Sequence, residues 1–234
     1  MIYVTGDTHG HRNFYKLLEF SKMHPNLNKN DFVIIAGDFG AVWNERTLKQ
    51  DLEPYEKLPF SVLFVDGNHE NFDLLNSYPI EWWRGGKIHR IKPSIIHLLR
   101  GQVFEIEGKR IFTFGGANSR DKNKRIEHVS WWKEEVPNEE EFIEAKNNLQ
   151  RYNNEVDYVI MHSTPAIALR RLYVESNWNS KYLQHNNQVS CALENILSQI
   201  KAKIYFSGHQ HLDERFSIWG RRYRLLYRDI VPLK

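Results

Sequence analysis

Residues 61–70 read SVLFVDGNHE, an apolar run of β-branched and aromatic side chains followed directly by glycine and polar side chains. A short apolar run of this kind predicts a buried strand over Ser61–Val65. In open α/β sheets, ligands bind in the crevice beyond the carboxyl ends of the strands. Asn68 and His69 are therefore expected at a binding edge of the sheet.

Four more segments repeat this arrangement of a buried strand followed by potential ligands. The predicted strands are Ile2–Thr5, Phe32–Ala36, Tyr158–Met161 and Lys203–Phe206. The side chains that follow them are Asp7, His9, Asp38, His162, His209 and His211. This mixture of oxygen and nitrogen donors suits Mn, Fe, Zn or Ni better than Ca or Cu(I). Two such ions would need a bridging carboxylate between them, for which Asp7 and Asp38 are the candidates.

Helical patterns alternate with these strands. Apolar side chains recur at helical spacing over residues 14–21 and 189–200, and Asn138 with Glu141 resembles a capping box at a helix start. Two antiparallel hairpins are also predicted, Gln102–Ile106 with Arg110–Phe114 and Arg215–Ile218 with Arg222–Leu226. Because parallel and antiparallel strands coexist, we expect an α/β fold of two packed mixed β-sheets flanked by helices.

Composition narrows the class of protein. The length of 234 residues favours one domain over residues 1–234. The 32 basic and 29 acidic side chains leave a net charge of only +3, which argues against nucleic acid as the substrate. A single cysteine rules out an internal disulfide or a cysteine-based zinc site. The absence of a signal-like start or a long apolar run predicts a cytoplasmic protein that does not enter a membrane.

The polar blocks occur in a recognisable order: Asp7-x-His9, Gly37-Asp38, Gly67-Asn68-His69-Glu70, His162 and Gly208-His209-x-His211. This order resembles the calcineurin-like metallophosphoesterase superfamily, which implies a four-layer αββα sandwich and a dinuclear metal centre. By this resemblance, one metal is held by Asp7, His9, Asp38 and His211. The other is held by Asp38, Asn68, His162 and His209, so that Asp38 becomes the bridge.

The resemblance also implies a mechanism. A hydroxide that bridges the two metals attacks phosphorus in line, and His69 donates a proton to the leaving oxygen as the general acid. Asp38 is the second catalytic residue because it holds both metals. We expect two divalent ions, with Mn²⁺ as the first choice and Fe, Zn or Ni as alternatives.

The substrate is less well defined than the reaction. We expect a small phosphomonoester or phosphodiester, with a protein or nucleotide-polyphosphate phosphatase as the alternative. Gly37-Asp38 continues into Phe39 and lacks the arginine typical of protein phosphatases, which weakens that alternative. A non-enzymatic interaction scaffold with this fold is the third hypothesis, although every ligand block and His69 are present. The sequence leaves the oligomeric state open.

Several residues outside the ligand blocks are candidates for substrate binding. The predicted contacts to substrate are Asn68, His69, Asn118, Arg120 and Arg125, and the predicted specificity loops cover residues 40–47, 79–90 and 115–137. A solvated surface loop over residues 118–125 is the competing interpretation. Six of the eleven histidines have no assigned chemistry and are expected to be solvated or packed: His11, His24, His89, His97, His128 and His185. Of these, His11 is the strongest candidate for an exception.

Overall fold

Two β-sheets face each other in the computed structural model, which describes residues 1–176 and 187–234. The first sheet consists of β1 (Ile2–Thr5), β2 (Phe32–Ile35), β3 (Ser61–Phe64), β4 (Ile80–Trp83), β5 (Gly86–Lys92), β6 (Ile95–Leu98) and β13 (Ile230–Pro232). The second consists of β7 (Gln102–Ile106), β8 (Lys109–Phe114), β9 (Tyr158–Met161), β10 (Ile204–Ser207), β11 (Glu214–Ile218) and β12 (Arg221–Leu225).

Both sheets are mixed. In the first, the order is β13-β1-β2-β3-β6-β5-β4, with β1, β2, β3 and β6 parallel and β13, β5 and β4 antiparallel to their neighbours. In the second, the order is β11-β12-β10-β9-β8-β7, with a parallel centre and antiparallel outer pairs. The parallel strands bring their carboxyl ends to one edge of each sheet.

Helices cover the outer faces of the sheets. They are α1 (Tyr15–Met23), α2 (Leu48–Glu56), α3 (Phe72–Leu75), α4 (Glu139–Gln150), α5 (Ala166–Ser176) and α6 (Asn187–Leu197). The predicted capping box of α4 is confirmed, since Asn138 accepts from the Glu141 amide and Glu141 from the Asn138 amide. Within the described ranges, no helix is long and apolar enough to cross a bilayer.

Three apolar layers hold the sheets and helices together. The central layer joins the facing sides of both sheets, for example Val4 and Ile34 of the first with Phe104 and Ile160 of the second. A second layer lies between the first sheet and helices α1 and α2, and a third between the second sheet and helices α4 and α6. Burial of apolar surface on both sides of each sheet drives this stacking. The predicted α/β fold of two packed mixed sheets flanked by helices is confirmed.

The prediction of a specificity loop over residues 79–90 is wrong. These residues form β4, a tight turn and the start of β5, with Arg84 and Gly85 in the left-handed region at φ 48° and 92°. The Arg84 guanidinium lies 5.3 Å from the centre of the Phe32 ring. Because Phe32 begins β2, this turn lies at the amino end of the strands, away from the predicted binding edge.

Candidate metal centre

The carboxyl ends of β1, β2, β3, β9 and β10 bring the predicted ligands into two adjoining clusters. The first cluster contains Asp7, His9, Asp38 and His211, whose candidate donor atoms all lie within 4.8 Å of one another. The Nε2 atoms of His9 and His211 are only 3.0 Å apart, and His211 Nε2 is 3.0 Å from Asp7 Oδ2. Imidazole nitrogens that face each other beside a carboxylate form a donor set for a cation.

The second cluster contains Asp38, His162 and His209, again with donor atoms within 4.8 Å of one another. Asn68 adjoins it, with Oδ1 3.3 Å from His162 Nε2. His162 is completely buried, and its Nδ1 donates to the carbonyl of Ala36 at 2.8 Å. That hydrogen bond fixes the tautomer, so that the Nε2 lone pair faces the cluster.

Asp38 belongs to both clusters. Its Oδ2 lies 3.8 Å from His9 Nε2 in the first cluster, and its Oδ1 lies 3.3 Å from His162 Nε2 in the second. A carboxylate whose two oxygens face different donor groups has the geometry of a bridging ligand. Between the two candidates from the sequence, the structure therefore favours Asp38 over Asp7.

The backbone is strained at four of the predicted ligands. Left-handed φ angles of 47°, 51°, 66° and 53° occur at His9, Asp38, His209 and His211. Non-glycine residues in this region cost about 1–3 kcal/mol each and persist where the surroundings impose them, commonly at functional sites. Close approach of the loops adds to the constraint, because a Cβ at Gly67 would lie 2.1 Å from Asp38 Oδ1.

Burial and mutual charge shift the acid–base properties of the cluster. Burial lowers the pKa of His209 to about 3, and it lowers the pKa of His9 despite the opposing effect of Asp38. Burial raises the pKa of Asp38, but the combined effect of His162, His69 and His9 outweighs it, so the pKa falls below its usual value. Neutral imidazoles and ionised carboxylates are the protonation states in which these groups bind metal ions.

The donor set fits two divalent ions. Carboxylate, amide and imidazole donors converge from five strand ends, and Asp38 stands between the two clusters. If bound there, one ion would contact Asp7, His9, Asp38 and His211 and the other Asp38, Asn68, His162 and His209. This assignment stays a prediction, as does the identity of the metals.

His69 lies beside both clusters. Its backbone amide donates to Asp38 Oδ1 at 2.8 Å, and its ring centre is 5.2 Å from that of His9. Arg125 Nη1 lies 3.4 Å from His69 Nδ1, so this predicted substrate residue does reach the site. Burial lowers the pKa of His69, which makes its protonated form a stronger acid.

For the other two predicted substrate residues, Asn118 and Arg120, the structure indicates only their approximate position relative to the site. Asn118 is half-buried and Arg120 is exposed, and both lie in the segment before the short 3₁₀ turn at Lys122–Lys124. Arg120 is near enough to His209 to contribute to the low pKa of that imidazole. Their contacts with a substrate therefore stay predictions.

Lys16 was missed by the sequence analysis. Its Nζ is buried at the base of the first cluster and donates to the carbonyls of Gly6 at 2.8 Å, Asp7 at 2.9 Å and Tyr227. Burial lowers its pKa to about 8. The Tyr227 ring in turn stacks on His211, with ring centres 4.5 Å apart. A polar residue on a helix gives no sign in the sequence that it faces inwards. No pattern could therefore have indicated that Lys16 binds the backbone carbonyls beneath the first cluster.

Glu70 is the last residue of the block Gly67-Asn68-His69-Glu70, and the sequence analysis predicted no role for it. Its carboxylate is completely buried and accepts from the amides of Phe39 at 2.7 Å and Gly40 at 3.2 Å. It therefore ties the loop after Asn68 to the loop after Asp38. Burial raises its pKa well above the usual value, and the nearby Asp38 adds to this effect.

The remaining histidines that the structure describes lie outside the two ligand clusters. His11 is exposed and pairs with Asp51 at 2.9 Å, so the predicted exception is not part of the cluster. His128 pairs with Asp73, and His24 packs on Phe20. His89 and His97 are buried against each other beside Asp66. His185 lies outside the described residues.

Comparison with known proteins gives a family match. A family model described as calcineurin-like phosphoesterase matches residues 1–213. Lariat debranching enzyme A of Xenopus laevis is 24% identical over 90% of this chain, and the lariat debranching enzyme of Schizosaccharomyces pombe is 25% identical over 89%. The chain spans 42% and 47% of the lengths of these two relatives.

Solved structures give the same fold. Phosphopantetheinyl hydrolase from Mycobacterium tuberculosis aligns with a TM-score of 0.50 at 15% identity, over 97% of this chain and 89% of that one. A putative 5'-nucleotidase from Staphylococcus aureus aligns with a TM-score of 0.51 at 16% identity, over 98% of this chain and 49% of that one. At such identities the likeness establishes the fold alone.

Proposed function

This chain belongs to the calcineurin-like phosphoesterase family, and on that premise we propose that it hydrolyses a phosphoester at a centre of two divalent metal ions. The observation that carries the proposal is the position of Asp38, whose two carboxylate oxygens face the two ligand clusters. An interaction scaffold has no need of seven converging donors beside His69.

The chain's own residues would position the reaction. When bound, two metal ions supply Lewis acidity toward the phosphoryl oxygens and lower the pKa of water. His69 is held by the bond from its amide to Asp38 and by Arg125 at Nδ1. The general acid is the imidazolium form of His69, and we assign to its Nε2–H the transfer of a proton to the leaving oxygen, which leaves a neutral imidazole.

The first candidate substrate is a small phosphomonoester or phosphodiester. A phosphodiester within a nucleic acid is the second, and it is favoured by the similarity to lariat debranching enzymes over about nine-tenths of the chain. That similarity runs against the expectation drawn from the low net charge. Mn²⁺ as the metal and a cytoplasmic location belong to the same proposal.

Replacing His69 tests the assignment of the general acid. His69→Ala is expected to keep both metal ions and to lose about 10²–10⁴-fold in kcat on an ester with a poor leaving group. The loss should be much smaller with p-nitrophenyl phosphate or bis-p-nitrophenyl phosphate, since an activated leaving group needs no proton in the transition state. The measurement is kcat on alkyl and nitrophenyl esters with Mn²⁺ present.

His128→Ala is a matched control, because His128 is an exposed histidine paired with Asp73 and outside the ligand clusters. It should leave the leaving-group dependence unchanged. If His69→Ala released the metal ions instead, His69 would be a ligand and not the acid. Equal losses on all esters would also contradict the assignment.

A further inference from the structure

Ser119 and Glu135 form a buried hydrogen-bonded chain that ends on Asn68. We propose that these two residues are positioning residues which fix the amide of Asn68 with its oxygen toward the second metal ion. The inference rests on the proposed function, because it concerns a ligand of the proposed centre. Neither residue was among the predicted site residues.

The hydrogen bonds from Asn68 to Ser119 and from Ser119 to Glu135 are both donated toward Glu135. Asn68 Nδ2 donates to Ser119 Oγ at 3.1 Å, and Ser119 Oγ donates to Glu135 Oε2 at 2.6 Å. The backbone amide of Ser119 donates to the other carboxylate oxygen, Oε1, also at 2.6 Å. All three side chains are buried, with exposed fractions of 6% for Asn68, 4% for Ser119 and zero for Glu135.

This direction determines the orientation of the amide. An ionised Glu135 can only accept, so the single hydroxyl proton of Ser119 is used on it, and toward Asn68 the Ser119 oxygen can only accept. The NH₂ group of Asn68 must therefore face Ser119, and the carbonyl oxygen must face His162 Nε2, 3.3 Å away. An amide turned around would present hydrogen atoms to the cation and leave a buried oxygen against Ser119.

Glu135 is itself anchored to the loop that carries Asn68. Arg100 donates to the carbonyl of Glu134 at 2.8 Å and to Asp66 at 2.8 Å through Nε. Asp66 lies two residues before Asn68. The segment of Glu134 and Glu135 is therefore connected to the loop of Asn68 at two points, to Asp66 through Arg100 and to Asn68 through Ser119. A closed ring of contacts resists rotation of Asn68 better than a single hydrogen bond does.

The experiment is titration of Mn²⁺ into the metal-free 234-residue chain by calorimetry, together with EPR of the spin-coupled metal pair. Ser119→Ala and Glu135→Gln are each expected to weaken the second ion about 10- to 100-fold, the usual effect of losing a partner of a metal ligand. The first ion should bind nearly as in the wild type. Ser119→Thr keeps the hydroxyl and should restore affinity to within about threefold.

Ser61→Ala is the matched control. Ser61 is another buried serine, whose hydroxyl donates to Lys29 O at 2.7 Å at the start of β3, far from the site. It should lower the thermal midpoint without changing the affinity of either ion. The inference is overturned if wild type binds two ions and Ser119→Ala binds both with unchanged affinity. Failure of wild type to bind a second ion would overturn the proposed function itself.

Discussion

Two groups of histidines around buried carboxylates use the same residue types in opposite ways. In the candidate metal centre, Asp7 and Asp38 lie among histidines, and among the described residues neither carboxylate has an ion pair with Lys or Arg. In the second group, which we call the Arg100 cluster, Asp66 and His97 are joined by Arg100. The difference lies in where the positive charge comes from.

The Arg100 cluster is satisfied by the chain itself. Burial alone would raise the pKa of Asp66, but Arg100 and then His97 outweigh it and hold that pKa well below its usual value. Arg100 also pairs with Glu141 at 3.0 Å. A buried carboxylate needs a positive partner. Arg100 provides one in this cluster, whereas in the candidate metal centre we propose that bound metal ions add to the positive charge of the neighbouring histidines.

The largest effect is expected from Asp38→Asn. Because a neutral amide cannot bridge two cations, both ions should bind at least about 100-fold more weakly, beyond the usual effect of substitutions outside the ligand shell. Hydrolysis of p-nitrophenyl phosphate should fall with them. Calorimetric titration of Mn²⁺ measures the affinities. Asp51→Asn is the control, because Asp51 pairs with the exposed His11, and retention of both ions by Asp38→Asn would refute the bridge.

Arg100→Met should destabilise the protein more than it changes hydrolysis. Removal of one partner of a buried ion pair costs about 3–5 kcal/mol, since Asp66 is left buried without its cation. Urea unfolding in the presence of a chelator gives the free energy of unfolding without any metal contribution. Arg90→Met, which breaks a partly exposed pair with Glu81, should cost at most about 1 kcal/mol. Equal losses of unfolding free energy in Arg100→Met and Arg90→Met would contradict the proposed difference between a buried and a partly exposed ion pair.

The smallest expected effect is a pH dependence from His89. Burial and then the neighbouring His97 lower the pKa of His89 to about 4, against about 6.5 in the unfolded chain. The unfolded state therefore binds more protons between these values, so stability is fully present above about pH 6.5 and falls toward pH 4. The loss should not exceed about 3.5 kcal/mol, since the two values differ by about 2.5 pKa units at about 1.4 kcal/mol per unit.

His89→Gln tests this dependence in chelator, where metal release at low pH plays no part. The groups that face His89 are His97, Asp66 and, across the adjoining cavity, Arg100, Glu141 and Glu144. The variant should show a shallower fall in unfolding free energy between pH 6.5 and 4 than the wild type. Parallel curves for the two proteins would assign the dependence to other groups.

The sequence could predict candidate ligands because their signal is local. Each predicted ligand follows a buried strand within a few residues, and the parallel arrangement of β1, β2 and β3 brings such ends together. The residues that hold the ligands carry no such signal. Ser119 meets Asn68 across 51 positions of the chain, and Lys16 meets Tyr227 across 211. Only the tertiary fold makes these pairs neighbours.

Strand β5, which the sequence pattern did not predict, has a similar explanation. β5 contains Lys87, His89, Arg90 and Lys92, and its pairing with β6 is interrupted by a register shift between Arg90 and Lys92. A strand with this many polar side chains lacks the alternation by which strands are recognised. Its place in the sheet depends on β6 and β4 on either side and not on its own pattern.

The metal content of the purified wild-type chain tests the central claim most directly. The chain should be stripped with chelator, saturated with Mn²⁺, passed through a desalting column and analysed for metal by mass spectrometry alongside Asp38→Asn. Two ions per wild-type chain and fewer than one in the variant are the predicted results. One ion or none in the wild type, or two in both proteins, would contradict a dinuclear centre bridged by Asp38.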